Sequence, residues 1–284
     1  MAEDNGHEAT HWDPFPASAA EDQRRSDRVP DTPQTRSPTY RLAYADDAFL
    51  TSEPLRGVRL QLEMLKPEMA LQEAGILSTV VLFGGARIPE PGKPAWAARN
   101  PRQRERLEAN ARYYDEARRF AGLASCHSAN TSGGKEYVIV TGGGPGVMEA
   151  GNRGASDVGA VSIALNITLP HEQAPNAYVT PELCFNFHYF AIRKMHFLLR
   201  AKAMAIFPGG FGTLDELMEA LTLIQTGRME PIPVILFGRS FWERLIDFEF
   251  LAEEGTIAPE DLSLFSIVDT AEEGWQIIRD FYGI

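Results

Sequence analysis

Four short apolar runs punctuate the chain, and each reads as a strand buried on both faces. They are Thr79-Val80-Val81-Leu82-Phe83, Tyr137-Val138-Ile139-Val140, Ala203-Met204-Ala205-Ile206-Phe207 and Pro233-Val234-Ile235-Leu236-Phe237. The first three run straight into glycines. Gly84-Gly85-Ala86-Arg87 follows the first, Thr141-Gly142-Gly143-Gly144-Pro145-Gly146-Val147-Met148 the second, and Pro208-Gly209-Gly210-Phe211-Gly212-Thr213-Leu214-Asp215-Glu216 the third. Strong helix formers at helical spacing follow the last two turns, and Pro145 suits a first helical position. Repeated strand–glycine–helix units predict an α/β fold, a doubly wound, Rossmann-like parallel sheet whose ligand loops gather at the carboxyl edge.

Other segments carry weaker patterns. Residues 1–44 are rich in charged residues, Pro and Ser, and are expected to be a disordered tail. Residues 45–284 then form a single nucleotide-binding domain, with 45–75 as a helical extension. Leu55, Val58, Leu62, Leu65 and Met69 make a helical stripe that either packs on the chain's own core, the favoured reading, or forms a dimer seam. Pro67 interrupts it. The run Arg99–Arg119 reads as one long helix with Leu107, Tyr114 and Phe120 inward and its charges in solvent, a second phosphate contact being the lesser alternative. Residues 187–199 read as a helix with Phe187, Ala191, Met195 and Leu198 on a core stripe, and Tyr189, Arg193 and His196 on another face. His196 alone is a packing or surface histidine. Trp275–Tyr282 reads as a closing helix.

A formal net charge of −12 argues against nucleic-acid polymers and anionic membranes as partners. No run approaches the length of a membrane span, and no signal-peptide pattern is present. Cys126 and Cys184 have no metal spacing and read as free thiols of a cytoplasmic protein. The six histidines form no ligand cluster, so no metal and no cofactor is expected.

The glycine turns carry the chemistry. A turn without side chains lets backbone approach a ligand and aims helix N-terminal N–H groups at it, which suits phosphate. Neither G-x-G-x-x-G nor a Walker A loop is present, because Val147 and Glu149 occupy the would-be glycines and Lys135 precedes Glu136. Thr213-Leu214-Asp215-Glu216 admits two readings. Thr213 and Glu216 could form a capping box, or Glu216 could be a carboxylate set beside a bound phosphate in order to react with what the phosphate carries. Arg193 is the cation that an anionic ligand would need, since Lys194 points about 100° away.

P-G-G-x-G-T-x-x-E, an upstream Arg-Lys pair on a helix and a G-G-G-x-x-G-x-M turn resemble the Lonely Guy family over residues 77–250. Its members were long mislabelled lysine decarboxylases, and the characterised ones are cytokinin riboside 5'-monophosphate phosphoribohydrolases. The fuller wording G-G-G-P-G-V-M-E-A-G-N-R-G-A resembles the longer bacterial, type II branch. The resemblance implies hydrolysis of the N-glycosidic bond of a nucleoside 5'-monophosphate, AMP or an N6-modified AMP, to free base and ribose 5-phosphate. It places the catalytic arginine on Arg193, the catalytic glutamate on Glu216 and the phosphate loop on Gly209, Gly210, Gly212 and Thr213. Further substrate contacts fall on Gly84, Arg87, Gly143, Gly144 and Met148. A homodimer with the site near its interface is implied too.

The reaction fits the residues. Cleavage passes through an oxocarbenium-like centre, which a carboxylate at Glu216 would stabilise while orienting water. Decarboxylation fits poorly, because it needs pyridoxal phosphate on a lysine and only Lys194 lies near the site. Gly85 departs from relatives, which usually carry serine there, so one hydroxyl contact is lost. The rival reading is a non-catalytic nucleotide or molybdenum-cofactor carrier, whose loop is similar but which has no need of the Arg193–Glu216 pair.

Overall fold

The computed structural model describes residues 17–169 and 174–284. The chain divides into two compact units, residues up to Leu62 and Glu63–Ile284. In the first, the described part holds α1 (Ala19–Ser26), α2 (Asp47–Leu50) and the opening turns of α3 (Arg56–Glu73), joined by short 3₁₀ turns. Of the tail expected through residue 44, residues 1–16 lie outside the described residues. The rest includes α1, capped by Ser18 and Glu21 and burying nothing.

The second unit begins within α3 and alternates strands with helices: β1 (Thr79–Phe83), α4 (Pro101–Ala109), α5 (Arg112–Ser132), β2 (Val138–Thr141), α6 (Val147–Asp157), β3 (Ser162–Ile167) and β4 (Cys184–Phe187). Then come α7 (Phe190–Leu199), β5 (Ala201–Ile206), α8 (Phe211–Gln225), β6 (Val234–Phe237), α9 (Arg239–Leu245), α10 (Phe248–Glu253), β7 (Ser266–Val268) and α11 (Ala271–Tyr282). All seven strands pair in parallel, in the order β4-β3-β2-β1-β5-β6-β7. This is the expected doubly wound α/β sheet.

Alternation along the strands divides the core. Val81 and Phe83 of β1 join Leu165, Met204, Leu217, Phe197 and Trp242 on one face. Val80 and Leu82 join Phe120, Ala150, Ala205, Phe237 and Ile278 on the other. Because successive side chains point to opposite faces, a strand covered on both sides must be apolar throughout, which is why β1, β2 and β6 were legible as runs.

Three expectations change. The 99–119 run is two helices, parted at Asn110, where α4 ends and α5 begins two residues on. Tyr114 and Phe120 are buried, whereas Arg102, Arg104 and Arg106 stand in solvent. On α3 the stripe does not pack inward, since Val58, Leu62, Leu65 and Met69 are exposed and Pro67 and Leu71 are the buried residues. Finally, Phe187 belongs to β4, and α7 buries His196 and Phe197 while Met195 is exposed.

Candidate functional site

The strand order reverses between β1 and β5. From β1 the chain runs outward through β2, β3 and β4, then returns to lay β5 on the other side of β1. Loops leaving neighbouring strands there part in opposite directions and open a crevice. The first and third glycine turns are those two loops. They are joined across the switch point by Gly85 N–H donating to the Pro208 carbonyl at 2.9 Å.

The second turn closes on the first. Val147 N–H donates to the Gly85 carbonyl at 3.3 Å, and a Cβ on Gly146 would lie 2.8 Å from the Ala86 carbonyl carbon. Gly146 also has φ of +71°, so only glycine fits both the space and the backbone. Gly84 packs its Cα against the Val147 side chain, leaving no room for a methyl. A Cβ on Gly85 would sit 3.1 Å from the Pro208 carbonyl oxygen, so a side chain there requires that carbonyl to give by a few tenths of an ångström.

A buried polar network fixes the second turn. Thr141 Oγ accepts the Gly143 N–H at 2.9 Å and donates to Asn152 Oδ1 at 2.7 Å. Asn176 Nδ2 donates to the carbonyls of Gly143 and Gly144 and to Asn152 Oδ1 at 2.9–3.2 Å. Sequence reasoning passed over Asn152 and Asn176. No local signal marks them, because Asn176 lies more than thirty positions from the glycines it holds.

Onto this scaffold α7 brings Arg193. Its Nε donates to the Leu165 carbonyl at 2.7 Å, its guanidinium lies 5.1 Å from the Phe197 ring centre, and a Cβ on Gly142 would come within 2.8 Å of Nη2. Met148 covers the same turn, its Sδ lying 2.9 Å from where a Gly142 Cβ would be and its Cε 2.7 Å from one on Gly144. Arg193 and Met148 therefore meet at Gly142, with Gly144 under Met148, whereas buried Gly143 faces Asn166 and Ala164. Arg87, expected beside them, is left exposed two residues beyond Gly85.

The third turn overturns the capping reading. Helix α8 begins at Phe211 with Gly210 as its N-cap and no side-chain cap bond, so Thr213 and Glu216 are interior residues and no acidic residue lies in the first turn. Both are buried, on the face shared with Leu217 and Ala220. Thr213 Oγ1 packs against the Cα of Gly209, whereas Gly210 and Gly212 have open space where a Cβ would be. The start of α8 thus leaves Gly210 and Gly212 open, burying one hydroxyl in its first turn and one carboxylate in its second.

Glu216 is 6% exposed. Burial pushes its carboxyl up to about 7, against the opposing pull of Lys194 and Arg193, with Glu219 and Asp215 adding to the rise. Lys194 is engaged by Asp215 at 2.9 Å and Glu219 at 3.0 Å. Burial alone would lower its pKa, but those two carboxylates outweigh it and the net shift is upward. It is a held ammonium, ill suited to attack a carbonyl as the free amine would.

Residues 148–278 match the family model described as "Possible lysine decarboxylase". No curated protein matches the chain. Among solved structures, the molybdenum cofactor binding protein from Rippkaea orientalis is 18% identical, with 72% of this chain and 97% of that one covered at a TM-score of 0.45. The molybdenum cofactor carrier protein from Chlamydomonas reinhardtii is 15% identical, with 73% and 99% covered at 0.44.

Proposed function

We propose that this chain, which over residues 148–278 belongs to the Lonely Guy family once described as possible lysine decarboxylases, hydrolyses the N-glycosidic bond of a nucleoside 5'-monophosphate. Family membership supports a nucleotide-related role. The observation that carries the hydrolytic reading is the buried Glu216 carboxylate, in the second turn of a helix whose first turn is open glycine backbone. A site that only held an anion would gain nothing from a buried carboxylate three residues past Thr213.

In this reading the 5'-phosphate rests on the N–H groups of Gly210, Gly212 and Thr213, where the α8 dipole favours negative charge. Gly84, Arg87, Gly143, Gly144 and Met148 border the nucleotide. As the base departs, positive charge grows on the ribosyl ring. Glu216, ionised above pH ~7, stabilises it and orients the water that attacks the anomeric carbon. Arg193 faces the second glycine turn and supplies a hydrogen bond to the leaving base or the phosphate. The substrate is AMP or an N6-modified AMP, the chain is of the longer bacterial branch, and it acts as a homodimer in the cytoplasm. No metal or cofactor takes part.

Among the described residues no helix is long and apolar enough to cross a membrane. The rival, a carrier without catalysis, shares the phosphate loop but leaves Glu216 unexplained. The deciding experiment incubates the protein with a panel of nucleoside 5'-monophosphates and separates the products by chromatography. Free base and ribose 5-phosphate support the proposal, and tight nucleotide binding without any free base sinks it.

A further inference from the structure

Arg193 lies on a helix of only ten residues, and so short a helix holds its place through what it packs against. Its own sequence supplies no cap. The N-cap Tyr189 makes no side-chain cap bond, and no acidic residue lies in the first turn. The chain just ahead of the helix is held from α3 instead. Glu63 Oε1 accepts the His188 N–H at 2.8 Å and Glu63 Oε2 accepts the Tyr189 N–H at 3.1 Å. At the far end, Glu68 takes both arms of the Arg200 guanidinium at 2.6 Å each, and Arg200 is the C-cap of α7. Between them, buried His196 donates from Nε2 to the Glu63 carbonyl at 3.2 Å.

We propose that Glu63 and Glu68 are positioning residues for Arg193, together fixing the register of α7 so that the guanidinium meets the second glycine turn. A slip of one residue along α7 would turn Arg193 by about 100° away from Gly142 and from its bond to Leu165. Both ends must be held to prevent that, and both are held from α3. Glu63 needs two oxygens for its two N–H partners. Glutamine offers one oxygen and sets its amide N–H against the other donor. These two glutamates precede the matched segment 148–278, so part of the site's support comes from outside it.

The proposal rests on Arg193 acting in nucleotide hydrolysis, and its test separates the two. In the full-length protein, Glu63→Ala should lower kcat on AMP by about tenfold or more with KM changed by less than about twofold. In an Arg193→Ala background the same substitution should cost nothing further, because its effect passes through Arg193. Equal losses in both backgrounds, or none in either, would overturn the proposal. Glu68→Gln releases the other end of α7, should show the same non-additivity, and serves if Glu63→Ala does not fold. A readout independent of activity is the Arg193 Nε–H resonance, protected by its bond to Leu165 in the intact protein and expected to broaden or vanish in Glu63→Ala. An unchanged resonance overturns the positioning role. If the protein cleaves no nucleotide, the hydrolase reading falls, and the resonance alone decides the positioning.

Discussion

Lys194 Nζ lies 3.0 Å from the carboxylate of Glu219, three residues along α8 from Glu216, and 2.9 Å from Asp215 on the other side. That ammonium is therefore committed to two carboxylates other than Glu216. Lys194 and Arg193 still pull the Glu216 carboxyl down, but burial outweighs them and it stands near 7. The five charges of Arg193, Lys194, Asp215, Glu216 and Glu219 leave one carboxyl poised to titrate in the neutral range, a common arrangement for a group that must act on a substrate.

Glu216→Gln should abolish most turnover while raising stability at alkaline pH. A neutral amide cannot stabilise an oxocarbenium-like centre, so kcat on AMP should fall by at least ~10²-fold. The folded carboxyl titrates near 7 against 4.5 in the unfolded chain. The stability from protonated Glu216 is thus complete below 4.5 and lost as pH rises through 7. The variant should melt above wild type at about pH 8, with the gap closing at acid pH. Near wild-type turnover in Glu216→Gln would remove Glu216 from the chemistry.

The pH–rate profile should show Glu216 directly. If the ionised form acts, kcat/KM for AMP rises with pH through a midpoint near 7, and the residual activity of Glu216→Gln lacks that limb. A rate that instead falls above the same midpoint would assign Glu216 as a general acid.

The glycines of the third turn should separate by what their Cα faces. Gly212→Ala meets open space and gains helix propensity, so the protein should be stabilised by up to about 1 kcal/mol. Its methyl would stand on the ligand side and raise KM for AMP by about tenfold, equivalent to about 1.4 kcal/mol. Gly209→Ala would collide with Thr213 Oγ1 and should destabilise by about 1–3 kcal/mol. Melting curves beside Michaelis plots test both. An unchanged KM in Gly212→Ala would move the phosphate elsewhere.

The 5'-phosphate should be indispensable. An uncapped helix N-terminus lined by glycine recognises a dianion through N–H donors and dipole, so AMP should be cleaved and adenosine hardly at all. Equal rates on the two would refute phosphate anchoring.

Apolar groups are exposed on both helices, Phe211 on α8 at 92% and Phe190 and Met195 on α7. A homodimer that covers them and completes each crevice should sediment as a dimer. A stable, fully active monomer would exclude it.

The sequence by itself determined the sheet class and its three glycine turns. A strand covered on both faces must be apolar at every position, so β1, β2, β5 and β6 declare themselves without any partner. Glycine where a backbone turns sharply is equally local, and Gly146 is needed for reasons visible within its own turn and the one beside it. The glycine turns were read on that basis, whereas the roles expected of Arg193 and Glu216 came from the resemblance.

Only the tertiary structure decided the rest. β3 hides its strand character because Ser162 and Asn166 face buried polar partners, and edge strand β4 was absorbed into a helical pattern through Phe187. The N-cap of α8 at Gly210 rather than Thr213 turned Glu216 from a surface cap into a buried acid. Its raised pKa follows from that burial and from charges on α7, which no local spacing encodes. Glu63 meets the start of α7 across more than a hundred residues. Periodicity reports which face of an element is apolar, whereas desolvation and long-range hydrogen bonds depend on which elements finally meet.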